Sequence, residues 1–346
     1  MLTQPLQGRY LEVEVQYRPV SFLLILASAM AAHDRIGDIE FFGYKGFDVA
    51  AVQNALPVHA GDVFSTATKD EIWRAIERKI GSPPTDVAAI CCDAEGNRVI
   101  FIGLPGSSTK RFAYNPEPTG RERLSITVTN LHEKLDRAIE AMVRKGGAAN
   151  QEDDSHGYPL VNDPVAHSLE LAVRRYALKH EQELLRVLKD SADAGEREAA
   201  ADVLGYARQS PRQVSALAQA SRDPDDGVRN NATRALGVLA ESHSKFANEI
   251  PAGTFIEMIQ SGIWTDRNKA SFVLLELTRA RDPKLLNELR NQALDALIEM
   301  AEWRDTSHAS SARILLGRIA GIPEEQLNEL AFRGPVQTIL DAVETH

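Results

Sequence analysis

The sequence predicts a multidomain chain: a C-terminal all-α solenoid of stacked helical hairpins, preceded by a small α+β domain of order β-α-α-β-β. Three observations predict it. From about residue 166 the apolar spacing takes a sustained helical period, in paired segments split by short Pro/Gly/Asp punctuation. Within those pairs one pattern recurs as Arg197…Ala200…Leu204-Gly205, Arg229…Ala232…Leu236-Gly237, Arg267…Ala270…Leu274-Leu275 and Ala312…Leu316-Gly317, its alanines offset by 32, 38 and 42 residues. Ahead of the solenoid, alternating apolar runs enclose two short amphipathic stretches bounded by turn formers.

A chain of 346 residues has room for two domains with separate cores. We divide it into a leader (1–32), the α+β domain (34–125), a connecting helix with an acidic loop (126–165) and the solenoid (166–346). Thirty-nine Lys and Arg against 49 Asp and Glu give a formal charge of −10, which disfavours nonspecific attraction to nucleic acid or anionic membranes and points to protein partners or small ligands. The two cysteines, Cys91 and Cys92, are adjacent, so neither a disulfide framework nor a cysteine-rich zinc cage can be built. On a strand one would fill a core position and the other face out; a vicinal disulfide is the sharper alternative.

In the leader, residues 20–32 carry no charge, Arg18 precedes them, and Ala29-Met30-Ala31 supplies small residues for a cleavage site, which is the pattern of a secretory signal peptide. An apolar stretch of 13 residues is too short for the roughly 20 of a membrane-spanning helix, so removal is expected and no stable membrane anchor after processing. This places the protein in the periplasm or outside the cell. Glu12 and Glu14 ahead of the apolar run leave the alternative of a strand and a buried helix in a cytoplasmic protein.

In the α+β domain, residues 36–42 alternate as a strand ending on Gly43, Asp48 caps a helix stopped by Pro57, residues 69–80 form a second helix, and residues 87–92 and 98–104 flank a turn as a hairpin. With Ile39-Glu40-Phe41-Phe42-Gly43 leading to Leu56-Pro57-Val58-His59-Ala60-Gly61-Asp62, this order resembles a POTRA domain over about 65 residues. The resemblance implies an extracytoplasmic module that binds polypeptides by adding a strand to its sheet edge. The alternative is an unrelated α+β sandwich with both helices on one face.

In the connecting region Asn130 and Glu133 fit a capping box, and Leu131, Leu135, Ile139 and Met142 lie on one helical face that stops at Gly146-Gly147. Residues 148–163 then have no periodicity. Their Glu152-Asp153-Asp154 and His156 make a cation site conceivable, although adjacent acids in a loop usually form a solvated surface.

Among the repeats the clearest unit runs from Ser210-Pro211 through the turn Arg222-Asp223-Pro224-Asp225-Asp226-Gly227 into Val228-Arg229-Asn230-Asn231-Ala232. It looks like a HEAT repeat of the short bacterial kind. Ala at one position and Leu four later share a helix face, the small residue letting the next hairpin approach. About four such hairpins are expected over residues 180–320, with a terminal pair over residues 324–345 as a cap.

No G-x-S-x-G, GxGxxG, Walker A, HExxH or EF-hand pattern occurs, so no catalytic residue, cofactor or metal is assigned. The reading is a non-enzymatic scaffold that binds protein partners, as HEAT-like families do with the face lined by second helices. On that face Arg229, Asn230, Arg234, Arg267, Asn268 and Lys269 are the candidate partner contacts. The arginines have a structural alternative, Arg229 with the turn residue Asp226 tying adjacent repeats together. A HEAT-type lyase-like enzyme or a small-ligand-binding protein is the runner-up, and nucleic acid is not expected. Trp73, Trp264 and Trp303, at or near helix ends, are read first as partly buried packing, with anchors of a binding surface as the alternative.

Overall fold

Residues 35–91, 93, 95–144, 152–242 and 245–345 are described in this computed structural model; residues 1–32, read as leader, and Cys92 lie outside them. The elements follow the predicted order. Strand β1 (Ile36–Phe42) leads through helices α1 (Val49–Gln53) and α2 (Thr68–Ile80) to the hairpin of β2 (Asp86–Cys91) and β3 (Arg98–Gly103). The sheet has order β1-β3-β2, with β3 parallel to β1 and antiparallel to β2. Asp48 caps α1 by accepting from the Ala51 amide, and Gly81, at φ 77°, ends α2 in the left-handed conformation. Cys91, at the exposed end of β2, is disulfide-bonded.

Both faces of this sheet are covered, by different partners. Ile39, Phe41, Ile100 and Ile102 pack on Val52 of α1, Leu56 just beyond it, and Ile72 and Ile76 of α2, while Phe42, Val99 and Phe101 belong to the core of the helical half. The front unit therefore does not close its own core. Strand β3 carries the run Val99-Ile100-Phe101-Ile102, the near-continuous apolar pattern of a strand buried on both sides.

The helical half follows α3 (Ile126–Arg144) as α4 (Pro164–Asp190) with α5 (Ala194–Gly205), α6 (Pro211–Ala220) with α7 (Asp226–Glu241), α8 (Ala252–Met258) with α9 (Trp264–Leu277), α10 (Pro283–Ala301) with α11 (Thr306–Ile319), and α12 (Glu324–Arg333) with α13 (Val336–Thr345). Helix α4 breaks its regular geometry at His180. Ser210 and Asp225 cap α6 and α7, accepting from the Gln213 and Val228 amides. Helix α3 starts four residues before the capping box at Asn130, because burial of Val128 under the stack overrides the weak helix propensity of the β-branched run Ile126-Thr127-Val128-Thr129.

The recurring Ala and Leu positions explain the stacking. Ala200, Ala232, Ala270 and Ala312 are buried, as are Leu204, Leu236, Leu274 and Leu316, and the second helices pack in series, α5 on α7, α7 on α9, α9 on α11. Gly237 is needed for close approach, since a Cβ there would lie 2.4 Å from the Phe272 ring.

Between sheet and stack, residues 105–125 run as a strap along the turns of the hairpins, against the order of the repeats. Lys110 N–H donates to Gln260 O (2.8 Å), Asn115 N–H to Arg222 O (2.7 Å), and Ala192 N–H to Gly120 O (2.9 Å). Each of those acceptors or donors lies in or beside a hairpin turn, so the extended strap satisfies its backbone there.

Candidate functional site

Two polar regions organise the helical half, one along the turns and one on the second-helix face. The first is a ladder of buried guanidinium groups. Arg197 forks onto Asp223 with both contacts at 2.8 Å, and Arg229 forks onto Asp266 at 2.8 and 3.1 Å. Each also donates inward to turn carbonyls, Arg197 to Ser191 and Arg229 to Asp223 and Pro224. A planar, always-charged fork suits this double duty. The structural alternative for Arg229 is thus realised with Asp266, one repeat on, instead of Asp226, and Tyr114 of the strap lies with its ring 4.4 Å from the guanidinium.

Arg267 continues the ladder into the front unit. Its Nε donates to Ser261 O (2.7 Å) and one terminal nitrogen to Glu299 (3.0 Å). The Glu299 carboxylate also accepts the backbone N–H groups of Gly43 (2.6 Å), Tyr44 (2.9 Å) and Lys45 (3.1 Å), a nest formed where β1 ends. Trp303 Nε1 donates to Phe41 O at 2.9 Å, the Trp264 amide to Asp86 at 2.8 Å, and the rings of Phe101, Trp264, Trp303 and His308 meet in tilted and edge-to-face contacts with centroids 4.8 to 5.5 Å apart. Trp264 and Trp303 are therefore internal anchors; Trp73 alone of the three tryptophans is exposed. The final repeat has Ala309 where the arginine pattern would continue, and Arg313 supplies the missing group by donating to Ala301, Trp303 and Ala331 carbonyls.

The second region lies on the face of α5, α7 and α9. Residues 152–161 form a tight hairpin over it, closed by paired bonds between Asp153 and Leu160. Both oxygens of Glu152 accept from Arg234, at 2.5 and 2.7 Å. The Tyr158 ring sits 4.2 Å from the Arg174 guanidinium and 6.1 Å from Tyr206, and Gln209 donates to His156 O (2.7 Å). Val161 N–H is held by Glu170 (2.8 Å) and its side chain is buried.

The charges there are strongly perturbed. Burial, then the neighbouring Glu152 and Glu241 carboxylates, push Asp154 up to about 7, and its Oδ1 is buried with no hydrogen-bond partner. Burial also raises Glu170 to about 7. Lys269 is pulled down to about 8 by burial and then by the Arg234 charge, and among the described residues no carboxylate lies within ion-pair distance of it. At His132 of α3 burial acts downward, but a hydrogen bond and charge from Asp202 (3.2 Å) together with Asp136 outweigh it, and the imidazole is pushed up to about 9.

Of the six candidate contacts, none is fully exposed. Arg229 and Arg267 are buried in the ladder, and Arg234 is spent on Glu152 and, at 3.9 Å, Asp202. Asn230 accepts from Thr265 Oγ1 (2.7 Å), while Asn268 and Lys269 are half-buried on α9. Glu152, Asp154, Tyr158, His132 and Asp202 complete the region. The acidic run had drawn attention as a loop, but nothing local marks Arg234, 82 residues on, as its partner. Among the described residues no group of three His, Cys, Asp or Glu side chains is arranged to hold a metal ion, and no helix is long and apolar enough to cross a membrane. A separate cleft of about 460 Å³ lies between the strap at Asn115, Pro116 and Pro118 and the outer helices at Leu185 and Ala216.

Residues 181–246, which span α5, α6 and α7 with the end of α4, match the family model of HEAT repeats. The fold and that match define the class: a helical-repeat protein with HEAT repeats matched over residues 181–246, behind a small three-stranded α+β unit. No curated protein matches the chain.

Proposed function

We propose that this chain is a non-enzymatic scaffold that binds other polypeptides outside the cytoplasm, through a POTRA-like front unit and the surface of its HEAT-type stack. The observation that carries this reading is the asymmetry of the front sheet. The inner face and the β1 edge are spent on the stack, with Phe41 and Ile39 carbonyls accepting from Trp303 and Arg304 and the start of β1 paired to residues 61–63. The β2 edge has no strand partner among the described residues. A rigidly held sheet with one open edge suits capture of an extended segment by strand addition. The β-α-α-β-β order and mixed sheet agree with the POTRA resemblance, and export follows from the apolar leader, whose test is the mature N-terminus: a start at Ala32 or His33 in the extracytoplasmic fraction is expected, and an intact Met1 in cytosol would contradict it.

Strand addition is tested by proline substitution in β2. Alternate residues of a strand direct their N–H groups to opposite sides, so of Ala88→Pro and Ala89→Pro one breaks the bond to β3 and the other removes only an outward donor. The outward variant should fold normally and lose cross-linking to partner from a photoreactive group placed at Ile90. Undiminished cross-linking by that folded variant would rule out strand addition.

A further inference from the structure

We propose that the face formed by α5, α7 and α9 is a receptor groove for an acidic, tyrosine-bearing segment of a partner protein, and that residues 152–158 occupy it in cis. This rests on the scaffold reading and names the chemistry of one of its partners. The groove shows the parts of a peptide site. One terminal nitrogen of Arg234 grips both oxygens of a carboxylate, the Arg174 guanidinium and Tyr206 form a slot for an aromatic ring, and Gln209 reads a main-chain carbonyl two residues before that ring.

The cis occupant fits this groove imperfectly. Asp154 is set among Glu152 and Glu241, sharing a hydrogen bond with Glu241 while its Oδ1 has no partner among the described residues, so burial and two neighbouring carboxylates oppose its ionised form. Lys269 meanwhile lies half-buried, within reach of the Arg234 charge and without an ion-pair partner among the described residues. A segment that keeps the carboxylate on Arg234 and the ring in the slot, but turns its next acid toward Lys269, gains one ion pair and loses one repulsion. That difference lets a partner displace the intramolecular copy, because a bound segment shifts the equilibrium only by its differential affinity. The exchange is limited to residues 152–158, since Val161 stays fixed by Glu170 and by its burial in the core.

The test uses the full chain opened by Glu152→Gln with Tyr158→Ala, and a fluorescent peptide of residues 151–160 in acidic form and with its Glu and Asp changed to Gln and Asn. The opened chain should bind the acidic peptide at least about ten-fold more tightly than the parent chain, and the neutral peptide about ten-fold more weakly than the acidic one. Adding Arg234→Gln should abolish uptake. No binding by an opened chain of unchanged circular dichroism, equal binding by the parent, or equal binding of the neutral peptide would overturn the proposal. Concentration-dependent dimerisation in place of uptake would also overturn it, by assigning the groove to a second copy. If the double variant does not fold, Glu152→Gln alone supplies the same comparison. A negative result here leaves strand addition at β2 intact, and failure of the proline test leaves this titration readable.

Discussion

The turn ladder and the second-helix face draw on the same helices, often on residues five apart, and use charge in opposite ways. Arg229 and Arg234 both belong to α7, yet Arg229 is locked between a bidentate carboxylate and two turn carbonyls, whereas Arg234 holds a loop in which Asp154 has one buried oxygen unpartnered among the described residues. Along the ladder every guanidinium finds acceptors within its own chain, so the charge serves as a rivet. On the second-helix face Asp154 and Lys269 are left in unfavourable settings, which is how a surface built for exchange differs from one built for permanence.

Breaking the ladder should have the largest effect. Arg229→Ala leaves Asp266 buried without its partner, and a loss of about 3–5 kcal/mol is expected in chemical denaturation. A loss under about 1 kcal/mol would mean water or a rearranged neighbour satisfies Asp266. Next comes the junction with the front sheet, where Trp303→Ala removes a buried ring and its bond to Phe41 O, for about 3–5 kcal/mol. Gly237→Ala should cost about 1–3 kcal/mol through the clash with Phe272, and Phe272→Ala in the same chain should recover part of it.

The smallest expected effect has a pH signature. The His132 imidazole holds its proton up to about 9 in the fold against 6.5 ordinarily, so its contribution is complete below pH 6.5 and disappears as pH rises through about 9. His132→Gln should therefore destabilise by roughly 1–2 kcal/mol at pH 6 and by almost nothing at pH 9.5. Asp154 and Glu170, raised to about 7, lose stability in the same direction over the lower window from pH 4 to 7, which separates them from His132. A His132→Gln difference that does not vary with pH would remove the imidazolium from the account.

Much of the fold was legible because the repeats are governed by local rules. The Ala-and-Leu spacing and the helix start at Ser210-Pro211 are short-range signals, and each holds in the structure. What the sequence could not convey was long-range pairing. The arginines of the ladder stand out by spacing, but their partners Asp266 and Glu299 lie 37 and 32 residues away and follow no fixed offset. The union of sheet and stack was hinted at only by the doubly apolar run of β3, since Trp264 and Trp303 reveal their use only when Phe101 is placed between them. The six contacts expected on the second-helix face were chosen as if that face were open, and the loop that covers part of it carried no local sign of its destination.

Native-state hydrogen exchange compares the two regions most directly. The amides of Gly43, Tyr44 and Lys45, bound to Glu299, should exchange only with global unfolding, while those of Asp153 and Leu160 in the hairpin should exchange through a local opening of distinctly lower free energy. Equal protection at both places would contradict the account, because the hairpin would then be as permanent as the ladder.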